Sequence, residues 1–360
     1  MTKVRAMSKT QKLGALDLFS GAGGLSLGLH QAGFSTSIGI DNDAQSLSTF
    51  QLNFPGAKVI REDLTTLSKE TQSVIKDHKR SISLIAGGPP CQGFSIAGKR
   101  LIDDPRNSLY REYIEMVSFI RPMYVLIENV PMILTLGEGR IADEIVRDLQ
   151  QLGYITEITT LNAADYGVPQ NRKRTFFVGK LGSDPVSLSR IPRVNTIVST
   201  QEAIGDLPQH LDHFEDIPIP YPGPALSNYQ KLMRRSSRLI YNHWCVAHKE
   251  QTKRIISLVP DGGNYKDLPK KYWSTRKVNI AWTRMNSQKP SFTIDAGHNH
   301  HFHYSADRVP TVREVARIQS FPDSFVFLGN KTSQFRQVGN AVPPLLAKKI
   351  ADLIMKDLTS

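Results

Sequence analysis

The chain has 360 residues, with 45 lysines and arginines against 33 aspartates and glutamates, a formal charge of +12. Hydrophobic residues make up 40% and charged residues 22%, with 25 Gly and 21 Pro, a globular balance that excludes collagen-like and disordered classes. No apolar stretch approaches the length of a membrane span, and two cysteines, Cys91 and Cys245, are too few for a disulfide framework or a cysteine-built zinc site. The expectation is a soluble cytoplasmic protein, and the basic balance suits a polyanionic partner.

From Gly14 to about Lys180, short β-rich apolar runs alternate with helical periodicity. The runs are Ala15–Phe19, Ser35–Ile40, Val59-Ile60, Ile82–Ala86, Tyr124–Ile127 and Thr175–Val178; Leu25–Ala32, Ser108–Ile120 and Ile141–Leu152 read as helices. This rhythm predicts an α/β fold with a doubly wound, mostly parallel sheet and ligands at the carboxyl ends of its strands. After Lys180 the texture changes: six prolines between Pro192 and Pro224 mark irregular structure and the start of an inserted, smaller domain. Helical patterns return at Thr311–Gln319, opened by Thr311 and Glu314 as a capping box, and at Val342–Lys356, which is expected to rejoin the first domain. The predicted division is 12–182 for the catalytic and cofactor-binding domain, 183–310 for the insertion, 311–334 for its support and 335–360 for the returning helix.

Asp17 to Gly24, Asp-Leu-Phe-Ser-Gly-Ala-Gly-Gly, ends a strand and opens a helix, where a close backbone approach to a ligand favours glycine. The next strand ends in Asp41, placed to accept hydrogen bonds from a ribose diol, and Asp63 follows Val59-Ile60 in the same manner. This pattern suits several nucleoside cofactors, NAD and S-adenosylmethionine among them, and does not choose between them. The fourth strand runs into Gly88-Pro89-Pro90-Cys91-Gln92-Gly93-Phe94-Ser95, which puts a thiol on a loop at the sheet's carboxyl edge. The neighbouring strand ends in Glu128-Asn129-Val130, and an acid in apolar surroundings there is suited to protonate a substrate. Arg172 and Arg174, two residues apart at the start of a strand, project to one side.

Together with Gln170-Asn171-Arg172-Lys173-Arg174 and Gln337-Val338-Gly339-Asn340-Ala341-Val342-Pro343-Pro344, these segments resemble, in order, the motifs of the cytosine-C5 DNA methyltransferases of restriction-modification type. The resemblance covers most of the chain outside Lys180–Tyr304. It implies a Rossmann-like methyltransferase domain with an inserted target-recognition domain, S-adenosylmethionine as cofactor and double-stranded DNA as partner, with no stable protein partner. It further implies that the Cys91 thiolate adds to C6 of a flipped-out cytosine, that Glu128 acts at N3, that Arg174 contacts the cytosine carbonyl and that Arg172 organises the catalytic loop. For the cofactor it carries over Phe19 against adenine; Gly21, Ala22, Gly23, Gly24 and Leu25 near the methionine part; Asp41 on the ribose; Asp63 and Leu64 at adenine; and Asn340 near the carboxyl end. Asn42 and Pro90 are expected in the same site. The chain has Asp41-Asn42 where the family commonly has Glu and a large aromatic.

DNA contacts are expected from Ser95, Lys99 and Arg100 in the loop after Cys91, and from a basic stripe if Asn228–Ile240 is helical. In that stripe Lys231, Arg234, Arg235 and Arg238 fall at i, i+3, i+4 and i+7. Arg276, among Trp273 and Trp282, completes the set. The histidines at 298, 300, 301 and 303, and the group His243, Cys245 and His248, suit a polar loop better than a metal site, so no metal is expected. An RNA cytosine methyltransferase, a catalytically silent DNA-binding protein and a nicotinamide dehydrogenase are the rival readings. The large insertion favours duplex DNA over RNA. The presence of both Cys91 and Glu128 opposes a silent protein, and a dehydrogenase leaves Cys91 and the paired arginines without a task.

Overall fold

The computed structural model describes residues 13–90, 109–211, 214–276, 281–297 and 301–360, and of Ser37 the backbone alone. Seven strands form one sheet: β1 (Gly14–Leu18), β2 (Ser35–Asp41), β3 (Lys58–Arg61), β4 (Ile82–Gly87), β5 (Tyr124–Asn129), β6 (Tyr154–Asn162) and β7 (Lys173–Leu181). Their order is β3-β2-β1-β4-β5-β7-β6, parallel except for β7, which runs antiparallel to both β5 and β6. The mostly parallel α/β sheet matches the expectation from the alternating pattern. β6 is an addition that the sequence reading missed.

Each central strand is buried on both sides, and alternate residues serve different cores. Ala15, Leu84, Ala86, Tyr124, Leu126, Phe176 and Val178 pack in one cluster with α1 (Gly24–Gln31) and the C-terminal helix. Leu16, Leu18, Ile85, Val125, Ile127 and Phe177 face the other way, as the period of two requires. On that second side lie α3 (Lys69–His78), α4 (Leu109–Ile120) and α5 (Arg140–Gln151), while α2 (Ala44–Asn53) follows β2. In α4, Tyr110, Tyr113, Met116, Val117 and Ile120 are buried at helical spacing.

The inserted segment is largely irregular. It carries α6 (Thr200–Ile204), α7 (Asn228–Arg234) and α8 (Glu250–Ser257), with a two-stranded pair of β8 (Ile219–Pro220) and β9 (Leu239–Ile240). Helix α9 (Val312–Ile318) has the predicted Thr311–Glu314 capping box, and α10 (Lys331–Asn340) and α11 (Pro344–Thr359) follow. Leu346, Ile350 and Ile354 of α11 are buried in the first cluster, while Leu345 and Leu353 are partly so. The return of the chain's end to the first βα unit therefore has a packing basis: a Cβ on Gly28 of α1 would stand 2.4 Å from the Ala347 Cβ, so only glycine permits this approach.

Helix α7 ends at Arg234, not at Ile240, because Leu239 and Ile240 leave to pair with β8. Lys231, Arg234, Arg235 and Arg238 thus share no single helix face. Arg234 also turns inward: its side chain is 12% exposed, pairs with Asp206 at 3.2 Å and lies 3.6 Å from the Tyr221 ring centroid. A guanidinium so engaged has little left for a phosphate, which corrects the expected stripe; Arg235 and Arg238 remain exposed.

The order of strands changes direction between β1 and β4, and a crevice opens there at their carboxyl ends. A cleft lies in that crevice.

Candidate active site

The cleft has a volume of about 610 Å³, within the range of small-molecule sites. Its floor comes from the β1–α1 turn. Phe19 and Gly21 have positive φ (59° and 52°), and the turn they shape is held by Ser20 N–H on Ile40 O at 3.1 Å and Gly23 N–H on Ser20 O at 2.9 Å. Of the predicted cofactor positions, Phe19, Gly21, Ala22, Gly24, Leu25, Asp41, Asn42, Asp63, Leu64, Pro90 and Asn340 all line it. Gly23 does not. It caps α1 in the left-handed conformation at φ 95°, and a Cβ there would meet Phe54 at 2.5 Å, so its task is to let the turn pack on the core.

Asp41 is held by two backbone amides: Gly21 N–H donates to Oδ2 and Asp43 N–H to Oδ1, each at 2.8 Å. Burial raises its pKa, and these two bonds oppose the rise. Asp63 accepts from the Thr65 amide and hydroxyl at 3.0 and 2.8 Å. Both carboxylates keep lone pairs free for hydroxyl or amino donors. A Cβ on Gly21 would meet nothing within 4 Å, so the space over the turn is open for a ligand. Shape and donor chemistry both fit a nucleoside cofactor.

Asp17, which the sequence reading did not single out, also lines the cleft. Its Oδ2 accepts from the Ser26 hydroxyl at 2.5 Å, and burial pushes its pKa up to about 7, with Asp41 adding to the rise and Ser26 opposing it. Its signal was its place two residues before the raised Phe19.

The opposite wall carries the acid and the two cations. Glu128, next to last in β5, is almost fully buried and pairs with Arg174 Nε at 2.8 Å across the β5–β7 ladder. Burial raises the Glu128 pKa against the lowering charges of Arg174 and Arg172. Gly88 leaves room for this carboxylate: a Cβ there would stand 3.1 Å from Glu128 Oε2. Asn129 Nδ2 donates to Pro89 O at 3.0 Å, which ties the Pro-Pro loop to β5. Pro90 lines the cleft; Cys91, Ser95, Lys99 and Arg100 lie outside the described residues.

Arg172 is fully buried and donates to Ile294 O at 3.1 Å and Gly339 O at 2.6 Å, while its Nε has no hydrogen-bond partner among the described residues. Burial, followed by the charge of Arg174, lowers its pKa, and Glu128 opposes that. The structure therefore brings Glu128, Arg172 and Arg174 together in the cleft with the cofactor positions. It also shows that the stretch from Ser291 to Asp295, assigned from sequence to the insertion, braces Arg172 through Ile294 O. Arg276 sits elsewhere, its guanidinium 4.9 Å from the Phe302 ring centroid and 5.8 Å from that of Trp282, half-buried. His243 donates and accepts within the fold, to Pro208 O at 2.9 Å and Thr311 Oγ1 at 2.8 Å. Among the described residues no three His, Cys, Asp or Glu side chains converge as metal ligands, and no helix is long and apolar enough to cross a membrane.

The model of the C-5 cytosine-specific DNA methylase family matches residues 13–356. A type II methyltransferase from Haemophilus parahaemolyticus, M1.HphI, is 38% identical over 95% of this chain and 86% of its own length. M.DdeI, a type II methyltransferase from Desulfomicrobium norvegicum, is 35% identical over 94% and 88%. Among solved structures, a protein assigned as a DNA modification methyltransferase encoded within an Escherichia coli prophage superposes with a TM-score of 0.83 and 28% identity, covering 97% of this chain and all of that one. A match of this length, over a cleft that joins a glycine-rich turn to a buried acid and two arginines, means that the chain belongs to the C-5 cytosine-specific DNA methylase family.

Proposed function

We propose that the protein transfers a methyl group from S-adenosylmethionine to C5 of a cytosine flipped out of a short, specific sequence in duplex DNA, as the modification enzyme of a restriction-modification pair. The observation that carries this reading is the meeting of Glu128, Arg172 and Arg174 with the Asp41 and Gly21 cradle in one cleft bordered by Pro90. S-adenosylmethionine supplies an electrophilic methyl, and Phe19, Asp41, Asp63 and Asn340 would hold it.

The residues of the chain make the cytosine ring a nucleophile. The Cys91 thiolate adds to C6, forming an S–C bond as the C5–C6 double bond opens, and the charge that develops on the ring is taken up at N3 by the Glu128 proton. Burial favours the protonated form of Glu128, and Arg174 fixes its orientation. Arg172, with a buried Nε left to donate, steadies the thiolate side of the site. Once C5 is methylated, loss of its proton expels Cys91 as thiolate, and N3 returns its proton to Glu128, which restores the ring. Residues 183–310 form the target-recognition domain, with Arg235 and Arg238 as exposed cations available to phosphate, while 311–334 supports that domain and 335–360 completes the catalytic one.

Methyl-labelled cofactor offered with duplex DNA and with RNA tests the reading, with bisulfite sequencing of the DNA product. The expected result is label in DNA at cytosines of one short sequence, no transfer by Cys91→Ala, and retained DNA binding by that variant. Label confined to RNA, or methylation surviving in Cys91→Ala, overturns it.

A further inference from the structure

The segment from Ser291 to Asp295 is fixed against the start of β7. Ser291 N–H donates to Pro169 O and Asn171 N–H to Ser291 O, each at 2.9 Å. Ile294 N–H donates to Gln170 Oε1 at 3.1 Å, and the Thr293 hydroxyl to Asn171 O at 2.7 Å. Arg172 closes the set from the cleft side through Ile294 O. Ser291 and Ile294 are buried, yet Phe292 between them stays 44% exposed. One face of its ring is backed by His301, itself 8% exposed, with ring centroids 4.5 Å apart and planes 17° from parallel.

An aromatic ring left in water on a segment pinned by five hydrogen bonds is a rigid platform with one face unused. It stands a single residue from Thr293, whose partner Asn171 precedes the cleft-lining Arg172. Lys289, three residues before it in the chain, and Lys173, next to Arg172, are both exposed, cations suited to the phosphates of a bound strand. Its chain neighbours Ser291 and Thr293 add no large apolar surface of the kind that a protein partner buries.

We propose that Phe292, backed by His301, is a stacking platform for a nucleobase beside the target cytosine, covering the base face that is laid bare when that cytosine leaves the helix. The inference rests on the reading of the protein as a base-flipping cytosine methyltransferase. Every base has a π-face, so such a platform is tolerant of sequence and acts on extrusion, not on target choice. Its contribution is largest where unstacking is costly and shrinks where the target is already unpaired.

The test compares wild type with Phe292→Ala and Phe292→Trp in single-turnover methylation of two duplexes, one with the target paired and one with it mismatched. Unfolding midpoint and cofactor affinity report on the fold. Phe292→Ala is expected to slow methylation of the paired duplex about ten-fold, the scale of one lost base–aromatic stack, and to recover most of that loss on the mismatched duplex. Phe292→Trp is expected to retain the rate. An unchanged rate in Phe292→Ala, or an equal loss on both duplexes, overturns the proposal while leaving the methyltransferase reading intact. Wild-type protein that methylates neither duplex overturns that reading and the platform with it.

Discussion

In the proposed chemistry the cleft depends on the Glu128 carboxyl, whose pKa burial raises and whose orientation Arg174 fixes. Glu128→Gln preserves the shape and one hydrogen-bond donor at the substrate edge but removes the transferable proton. Single-turnover methylation is expected to fall by about 10²–10⁴-fold, with cofactor affinity unchanged; a near-wild-type rate would reduce Glu128 to a hydrogen-bonding role. At this scale the sequence was informative where several motifs constrained one another. The convergence of Glu128, Arg172 and Arg174 on one cleft was legible, and so was that of the positions expected to meet a cofactor apart from Gly23, whose glycine serves packing on Phe50 and Phe54. Arg234 was not legible, because a basic residue on a helix reads the same whether it faces water or Asp206. The same ambiguity hid Arg313 and Arg317, which α9 buries completely: Arg317 meets Asp323 at 2.7 and 2.8 Å and Asp206 at 2.5 Å.

Between elements, the closest fit is that of α1 on α11. Gly28→Ala places a methyl against the backbone at Ala347 and Lys348, so the two helices must part. Overpacking of this kind costs about 1–3 kcal/mol, partly offset by the better helix propensity of Ala. The expected net result is a lower unfolding midpoint in denaturant, whereas Gly56→Ala, where a Cβ meets nothing within 4 Å, leaves it nearly unchanged. Equal midpoints for the two variants would show that α11 yields freely. The elements read correctly from sequence are those with a clear buried stripe or a cap, such as α4, α5 and α9. β6 escaped because it is an edge strand: only Tyr154 and Leu161 are buried at its ends, so its pattern carries little apolar signal. The helix expected over 228–240 was cut short by Ser236 and Ser237 and by a strand pairing with Ile219 and Pro220, a long-range contact that local periodicity does not report.

The molecule as a whole is tied together by buried charge at the junction of the insertion and α9. Glu314 takes both Arg308 nitrogens at 2.7 and 2.8 Å, and His303 Nε2 lies 3.5 Å from it. Burial pushes both His303 and His243 down to about 4, with Glu314 opposing the fall. A depressed histidine adds stability that is present above the unfolded value near 6.5 and is lost as pH falls toward 4, because only the unfolded chain takes up the proton in that window. The stability difference between wild type and His303→Gln, measured by chemical denaturation across pH 4 to 6.5, is expected to rise with pH by up to about 3 kcal/mol. A difference independent of pH would mean that His303 titrates alike in both states. The closure of α11 on α1 has a further consequence for synthesis. Asn340, Ala341 and Val342 form part of the cleft wall, and Gly24 leaves room for Val342 O, which a Cβ would approach to 2.6 Å. The ribosome makes this wall some three hundred residues after the turn that it completes, so a nascent chain that already carries Glu128, Arg172 and Arg174 still has an unfinished cleft. The cleft therefore cannot take its full shape until translation has passed Val342.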